Sequence, residues 1–247
     1  MKQSDIQPVL NEAALYIKNK KILVIADLHI GIENELRELG LQAPSQTPFM
    51  IKRLTKLFKK YKPNTLILLG DIKHNIPSTT NQERTDIKRF IAQIQSFGSV
   101  HILPGNHDGN IDRLLTSDIN LHSSDGFVID NIGFIHGHRW PNEKIMQCEY
   151  VVLGHTHPTI MLTDRLGYKT FEPCWIRGSC IKSTLIEKYP DSDNPSIIIM
   201  PAFNPLCGGI AINKEPLIGP FNKILDIENA EVYLTDGSSL GKVKDID

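Results

Sequence analysis

The sequence lacks the features of secreted and membrane-embedded proteins. It has four cysteines in 247 residues and no CxxC pair, so neither a disulfide framework nor a zinc knuckle is indicated. Its longest apolar runs, around 22–26 and 197–203, are far too short to span a bilayer. The first 21 residues include Asp5 and Glu12 and have no continuous apolar centre, unlike a signal peptide. We therefore expect a cytoplasmic protein with no membrane partner.

An excess of charge of either sign is also missing. Lys and Arg number 27 against 28 for Asp and Glu, which gives a formal net charge of -1 and a pI of about 6.8. A protein that coats nucleic acid through overall basicity is excluded, although local basic patches are not. With 40% hydrophobic residues the chain can bury enough apolar surface to fold, and it contains no repeat and no linker. We predict a single domain over residues 1–247.

Three short apolar segments in the first half, at 21–26, 65–70 and 99–104, predict buried β-strands. Two amphipathic segments separate them. Alternation of strand and helix predicts a parallel sheet with helices packed on it. In such sheets ligands bind beyond the carboxyl ends of the strands, so the residues that follow each strand are candidates for a site.

Capping residues mark the starts of the two intervening helices. Thr47 followed by Pro48 is typical of an N-cap with proline in the first helical position, and the apolar spacing predicts a helix as far as Tyr61. Thr80 and Glu83 form a capping box before a helix that runs toward residue 97.

The second half of the chain has the pattern of β-structure. The segment 127–137 predicts a hairpin that turns at Asp130 and Asn131. Further strands are predicted at 150–154, 159–163, 168–176 and 196–203. Because no linker separates the halves, we expect two packed sheets within one domain.

Five polar clusters directly follow strand-like runs. They are Asp27-x-His29, Gly70-Asp71, Gly105-Asn106-His107-Asp108, His136-Gly137-His138 and Gly154-His155-Thr156-His157. If neighbouring strands end at the same edge, all five clusters meet there. A lone histidine after a strand is usually an ordinary polar residue, but five such clusters in series indicate a shared site.

The residue types in these clusters suit a pair of divalent cations. Carboxylates, neutral imidazoles and one amide make a nitrogen and oxygen ligand set without thiolate, which favours Mn, Fe, Zn, Co or Ni over Ca or Mg. Two divalent ions with Asp27, Asp71 and a bridging hydroxide leave a formal charge of roughly +1. A centre of that charge favours an anionic phosphate, and a metal pair activates water for an in-line displacement.

In this order the motifs DLH, GD, GNHD, HGH and GHTH resemble those of the calcineurin-like metallophosphoesterase superfamily. The resemblance extends from Asp27 to His157, about half of the chain. The segments ADLHIGIE, GDIKH, GNHDG and PAFNPLCGG resemble more narrowly the DNA ligase-associated phosphoesterase group of bacteria. The resemblance implies an α/β fold, a four-layer α/β/β/α sandwich, with a dinuclear metal site between its loops.

The resemblance also implies a role for each residue of the motifs. Asp71 would bridge the two ions. His107 would donate a proton to the leaving oxygen or stabilise the phosphoryl transition state, and Asp108 would orient it. His74 stands where many relatives have a carboxylate or Asn, which leaves the substrate contacts open. The candidate phosphate contacts are His74, His138 and Arg139. The first ion would be held by Asp27, His29 and His157, and the second by Asn106, His136 and His155.

We therefore expect a hydrolase, a metal-dependent phosphoesterase that cleaves P–O bonds by a metal-bridging hydroxide. Its cofactors would be two divalent transition-metal ions, manganese first, with Zn, Fe, Co or Ni as alternatives. The resemblance favours a phosphodiesterase acting on nucleotides or nucleic acid. The alternatives are a phosphomonoesterase or pyrophosphatase acting on a small phosphate compound, and a non-catalytic interaction scaffold of the same fold. The presence of His107 distinguishes an enzyme from such a scaffold.

The predicted helix 48–62 has cations and no acidic residue. Its cations are Lys52, Arg53, Lys56, Lys59, Lys60 and Lys62. A face of this kind can meet the phosphates of nucleic acid. The alternative is an ordinary solvated face of an amphipathic helix.

Overall fold

The computed structural model describes residues 5–246, which form two β-sheets with α-helices against their outer faces. The strands of the first sheet are β1 Ile6–Pro8, β2 Ala14–Ile17, β3 Ile22–Ala26, β4 Thr65–Leu69, β5 Ser99–Leu103 and β6 Ile119–Leu121. Those of the second are β7 Phe127–Ile129, β8 Ile132–Ile135, β9 Tyr150–Leu153, β10 Pro158–Thr163, β11 Lys169–Gly178, β12 Ser196–Ile199, β13 Ile210–Ala211, β14 Glu231–Leu234 and β15 Ser239–Lys242. The α-helices are α1 Ile32–Glu38, α2 Thr47–Tyr61, α3 Asn81–Ile94, α4 Glu143–Met146 and α5 Lys182–Lys188.

The first sheet has the strand order β1-β2-β3-β4-β5-β6, and its strands from β3 onward are parallel. The three strands predicted for the first half form its centre, each within one residue of the predicted bounds. β1 and β2 extend it with antiparallel pairing. The sequence did not predict these two strands, because runs of three and four residues carry too little pattern.

The second sheet has the order β13-β10-β11-β12-β9-β8-β7, and β14 and β15 join it through β11. The predicted hairpin is confirmed, since β7 pairs antiparallel with β8 and Asp130 turns with a φ of 52°. β12 is shorter than predicted and ends at Ile199. Pro201 cannot donate to a ladder, and the chain leaves for the first sheet, where the amide of Phe203 donates to the carbonyl of Ala26 at 2.8 Å.

Three hydrophobic cores separate the molecule into four layers. One face of the first sheet packs against Leu54 of α2 and Phe90 of α3. Its other face meets the second sheet in a shared core that includes Ile67 and Val152. The far face of the second sheet packs against α4, against α5 through Leu185, and against the C-terminal segment. Side chains alternate between the two faces of each strand, so each sheet contributes side chains to two cores. The predicted α/β/β/α sandwich is confirmed.

The helix starts differ in how well the sequence marked them. The prediction that Thr47 caps α2 is wrong by one residue: Gln46 is the N-cap and Thr47 is the first helical residue. The Ser45 hydroxyl accepts from the Thr47 amide at 3.3 Å, so the Thr47 hydroxyl is not needed there. The capping box of α3 is confirmed, because the Thr80 hydroxyl and the Glu83 carboxylate each accept from the other's amide at 3.1 Å.

The core between the sheets is built from both halves of the chain. The single domain over residues 1–247 stays a prediction, and residues 1–4 and 247 lie outside the described residues. Over residues 5–246, no helix combines the length and apolar character needed to cross a bilayer.

Candidate metal centre

The five polar clusters meet at one edge of the molecule, where strands of both sheets end. Asp27 directly follows β3, Asp71 comes two residues after β4, and Asn106 follows β5 after a short loop. His136 directly follows β8, and His155 comes two residues after β9. Parallel neighbours end at the same edge, and the two sheets face each other, so loops distant in sequence become adjacent. The structure thus brings together all seven predicted ligands.

Most of these residues have a backbone conformation that side chains rarely adopt. The φ angles of Asp27, His29, Asp71, His155 and His157 are 56°, 40°, 45°, 68° and 45°. A residue other than glycine in this left-handed region is uncommon, and such strain concentrates at functional sites. The sharp bend after each strand turns the next side chain toward the opposite sheet. This explains how Asp-x-His and His-x-His can aim both side chains at one place.

The first group of donor atoms contains Asp27, His29 and His157. The Nε2 atoms of His29 and His157 lie 3.3 Å apart, and Nε2 of His157 lies 3.4 Å from Oδ1 of Asp27. Nε2 of His29 also lies 3.5 Å from Oδ2 of Asp71. Asp27 and His29 are buried.

The second group contains Asn106, His136 and His155. Nε2 of His136 lies 3.2 Å from Oδ1 of Asn106 and 3.2 Å from Oδ2 of Asp71. His155 offers a ring nitrogen within 4.8 Å of donor atoms of Asp71 and His136. Asp71 therefore faces both groups of donor atoms.

Hydrogen bonds at the far side of the rings fix which nitrogen faces the site. Nδ1 of His136 lies 3.2 Å from the carbonyl of Leu69, and Nδ1 of His157 lies 3.0 Å from the carbonyl of Gly208. A carbonyl only accepts, so each Nδ1 carries a proton, and Nε2 is the nitrogen that can offer a lone pair to an ion. Outer partners of this kind orient metal-binding histidines.

His29 is oriented by a longer chain of side chains. The Glu35 carboxylate lies 2.6 Å from Nε2 of His74, and Nδ1 of His74 lies 3.2 Å from Nδ1 of His29. Because the carboxylate accepts from Nε2 of His74, the other nitrogen of that ring is free to accept from His29. Nε2 of His29 then also presents a lone pair. No pattern in the sequence pointed to Glu35, and His74 was noted only as a departure from its relatives.

The donor set fits divalent cations. Ring nitrogens and carboxylate oxygens converge at 3.2–3.6 Å. Ligands about 2.1 Å from one ion are separated by about 3.0–3.4 Å, the edge lengths of an octahedron and a tetrahedron. Burial opposes a charged ring, yet the hydrogen bond and charge of Asp71 raise the pKa of His136 to about 9. The two carboxylates therefore strongly stabilise a positive charge beside them.

Two of the other rings are neutral at physiological pH. Burial, with the neighbouring His157, lowers the pKa of His29 to about 3. Burial, with the charge of His136, lowers the pKa of His155 to about 4. Burial opposes ionisation of Asp71, but its hydrogen bond with His136 lowers the pKa of this carboxyl. Neutral imidazole and ionised carboxylate are the forms that bind metal.

The expected contact between Asp108 and His107 is wrong. Oδ1 of Asp108 accepts from the amides of Ile72 and Lys73 at 2.8 and 3.1 Å, and Oδ2 accepts from Gly105 at 2.8 Å. The carboxylate points back into the loops because three amides there need an acceptor. His107 is held instead by the loop after β4: its Nδ1 donates to the carbonyl of residue 74 at 2.5 Å.

A late segment of the chain, within the PAFNPLCGG motif, also reaches the site, although none of its residues was predicted as a ligand. Asn204 donates to the carbonyl of Leu28 at 2.8 Å, and Gly208 holds His157. The Cys207 sulfur comes within 4.8 Å of ring nitrogens of His29 and His157. Burial and the nearby carboxylates raise the pKa of this thiol. Cys207 therefore lies within reach of the first group, and its raised pKa disfavours the thiolate that a metal would bind.

Two glycines allow close approach between loops. A Cβ at Gly105 would collide with the Asp71 carboxylate, and one at Gly154 would collide with the Asp27 carboxylate. Each glycine thus makes room for a predicted ligand on a different strand.

An open cleft of about 420 Å³ leads to the donor atoms. His107 and His155 line it, and the half-exposed side chain of Ile218 stands at its rim. His138 lies beside the second group, with its ring centre 5.2 Å from that of His136, while Arg139 is exposed. Phosphate contacts by His138 and Arg139 stay a prediction.

Comparisons with known proteins agree with the fold. The nuclease MPE of Pseudomonas putida has 21% identity and a TM-score of 0.60, over 95% of this chain and 100% of that one. The phosphoesterase Yfce of E. coli has 16% identity and a TM-score of 0.41, over 90% and 97% of the two chains. No curated protein matches by sequence. The first of these similarities shows a shared fold.

The sequence profile described as calcineurin-like phosphoesterase matches residues 20–159. The match covers more than half of the chain and includes every predicted ligand and His107. Proteins of this family use divalent metal ions, and the convergent donor groups could hold such ions. The chain belongs to the calcineurin-like phosphoesterase family and is a metal-dependent phosphoesterase, a hydrolase.

Proposed function

We propose that this protein is a phosphodiesterase that works with two divalent transition-metal ions. The observation that carries the proposal is the position of Asp71. Its Oδ2 lies 3.5 Å from Nε2 of His29 and 3.2 Å from Nε2 of His136, between the two groups of donor atoms. A carboxylate in this place serves two ions at once.

The proposed ligand sets follow from the two groups. Asp71 belongs to both. When bound, a pair of divalent ions activates water and stabilises negative charge on a phosphoryl group. Manganese is the proposed metal, because oxygen and imidazole donors without thiolate suit it. The first set adds Asp27, His29 and His157, and the second adds Asn106, His136 and His155.

His107 is the proposed catalytic acid. It lines the cleft, its amide donates to Oδ1 of Asp71 at 2.9 Å, and its Nδ1 proton is held by the carbonyl of residue 74. Nε2 is therefore the nitrogen that gains and gives a proton. A proton on Nε2 can be donated to the leaving oxygen or can stabilise charge on the phosphoryl oxygens. Asp108 acts at a distance, by holding together the loops that carry Asp71 and His107.

A diester fits the surroundings of the site better than a monoester. Only two carboxylates, Asp27 and Asp71, belong to the proposed ligand sets, so the loaded centre remains positive and attracts a phosphate. The open cleft and the apolar rim at Ile218 leave space for a second ester group. The linkages of nucleic acid are diesters of this kind, as are cyclic nucleotides, and the Pseudomonas putida protein with the same fold is a nuclease.

The test compares a diester with a monoester. Mn-loaded protein should hydrolyse bis-p-nitrophenyl phosphate faster than p-nitrophenyl phosphate. Asp71→Asn should lower metal content at both positions, measured by elemental analysis, because the shared ligand is weakened. Asp112→Asn, a change of the same kind at an exposed surface residue, is the matched control and should keep its metals.

Each failure has a distinct meaning. A full complement of metal in Asp71→Asn contradicts the shared position of this carboxylate. Faster turnover of the monoester supports a phosphomonoesterase instead. Metal binding without turnover of any phosphate ester supports an interaction scaffold.

A further inference from the structure

The outer surface of α2 and α3 exposes charge of only one sign. The segment 47–98, all of it described, contains three carboxylates, and all three are buried. The exposed cations on the two helices include Lys52, Lys56, Lys59, Lys60, Arg84 and Lys88. We call this surface the α2–α3 face. Since the whole chain has a net charge of -1, the face is not a consequence of overall basicity.

The three buried carboxylates accept hydrogen bonds inside the fold. Asp71 belongs to the metal centre. Glu83 accepts from the amides of His74 and Asn75 at 2.8 and 2.9 Å, besides capping α3. Asp86 accepts from the side chains of Ser45 and Gln82 at 3.2 and 2.9 Å.

One cation of the predicted basic helix does not belong to the face. Arg53 forms an ion pair with Glu12 at 2.6 Å, donates to the carbonyl of Phe203 at 2.6 Å and lies over the Phe203 ring. It therefore fastens α2 to the loops near the site. The other cations of α2 are all lysines, and they are exposed.

The cations form rows along the helices. Lys52, Lys56 and Lys60 follow one another at four-residue intervals, as do Arg84 and Lys88, so each set lies along one side of its helix. Both helices pack on the same face of the first sheet. A helix of the length of α2 is about 22 Å long. The rows therefore present repeated positive charge over a distance that covers several phosphates of a nucleic-acid strand.

The face begins at the metal centre. α2 and α3 return the chain between parallel strands, so their first turns lie at the edge where the strands end. Glu83, in the first turn of α3, binds the backbone of His74 directly beside the site. Arg84 follows it on the exposed side. The face thus runs from the catalytic edge down the outside of the first sheet.

We infer that the α2–α3 face docks the phosphate backbone of a polynucleotide substrate. The inference rests on the proposed phosphodiesterase function and names its substrate class. Repeated exposed cations without exposed carboxylates match the repeated charge of a nucleic-acid strand. Contacts of this kind position the strand and do not read its sequence.

The test uses matched triple variants. Lys56→Gln, Lys60→Gln and Lys88→Gln together remove three charges from the face. Lys169→Gln, Lys182→Gln and Lys242→Gln remove three exposed charges from the second sheet and α5, and serve as the control. Binding of a fluorescent single-stranded DNA is measured by anisotropy at several salt concentrations. Mn-loaded protein in the His107→Ala background limits cutting of the probe.

We expect the face variant to bind DNA at least about tenfold more weakly, with a salt slope smaller by about two, whereas the control keeps the wild-type slope. Equal losses in both variants, or no loss in the face variant, overturn the inference. Binding to phosphatidylserine vesicles without binding to DNA also overturns it. Hydrolysis of bis-p-nitrophenyl phosphate by the triple variants, with His107 intact, should equal that of the wild type. If the wild type lacks this hydrolysis while DNA binding depends on the face, the proposed function fails and the docking face stands.

Discussion

At the scale of single residues, the site depends on which nitrogen each histidine turns inward. His29, His136 and His157 all present Nε2, because each Nδ1 has a partner outside the site. The sequence predicted these histidines from their place after strands. It could not predict their partners, which include the carbonyls of Leu69 and Gly208, because backbone carbonyls leave no mark in a sequence.

His74 provides a test of this orientation. His74→Ala removes the acceptor for Nδ1 of His29, and we expect one of the two Mn-binding steps to weaken by about 10–100-fold. Free Mn measured by electron paramagnetic resonance during a titration gives both affinities. Glu35→Gln retains the ring of His74 and should have a smaller effect. Identical binding curves for His74→Ala and the wild type would show that His29 needs no such partner.

His107 provides a second test. His107→Ala should keep its metals and lose about 10²–10⁴-fold in turnover, as expected for removal of a general acid. The loss should be smaller for aryl esters than for alkyl esters, since an aryl leaving group needs little protonation. Equal losses for the two kinds of ester would exclude the acid role and leave stabilisation of charge in the transition state.

At the scale of elements, the loops after the strands were easier to predict than the strands at the edges. β3 and β4 are buried on both faces and β5 is buried on one face, so all three are apolar runs, each followed by a polar motif. β1 and β13 have three and two residues, and their pairing depends on the folded neighbours. Asp108 was assigned to the wrong partner because adjacency in sequence does not give the direction of a side chain.

The helix starts give a matched pair of stability measurements. Thr80→Ala removes the acceptor for the Glu83 amide, and we expect the free energy of unfolding to fall by about 1 kcal/mol. Thr47→Val removes a buried hydroxyl that has no partner among the described residues, so unfolding should be unaffected or slightly harder. Urea unfolding measures both. A loss in Thr47→Val as large as that in Thr80→Ala would mean that the Thr47 hydroxyl caps α2 after all.

At the scale of the whole molecule, the candidate metal centre draws its residues from both sheets. Asp27, Asp71 and Asn106 come from loops of the first sheet, while His136 and His155 come from loops of the second. The sandwich followed from alternating strands and helices, together with the resemblance. The sequence predicted the cations of α2. It could not predict that the α2–α3 face exposes charge of one sign only, because this also depends on which carboxylates are buried.

Removal of the metals should therefore weaken the contact between the sheets. An ion at one hundred times its dissociation constant stabilises a fold by about 2.7 kcal/mol, which for a chain of this size shifts the unfolding temperature by about 5–10 °C. Calorimetry with EDTA, and again after Mn is restored, measures the shift. Asp71→Asn should show a much smaller difference. An unfolding temperature indifferent to EDTA in the wild type would contradict a structural role for the ions.

The glycines that face the ligands have a consequence for how such a chain can change over generations. Gly105 makes room for Asp71, and Gly154 makes room for Asp27, although the members of each pair belong to different strands. Any larger residue at either glycine would displace a carboxylate that is far away in the sequence. Each glycine must therefore be retained for as long as its carboxylate is needed, whereas rim residues such as Ile218 are free of this constraint. New substrate preferences can arise at the rim without disturbing this interlocked centre.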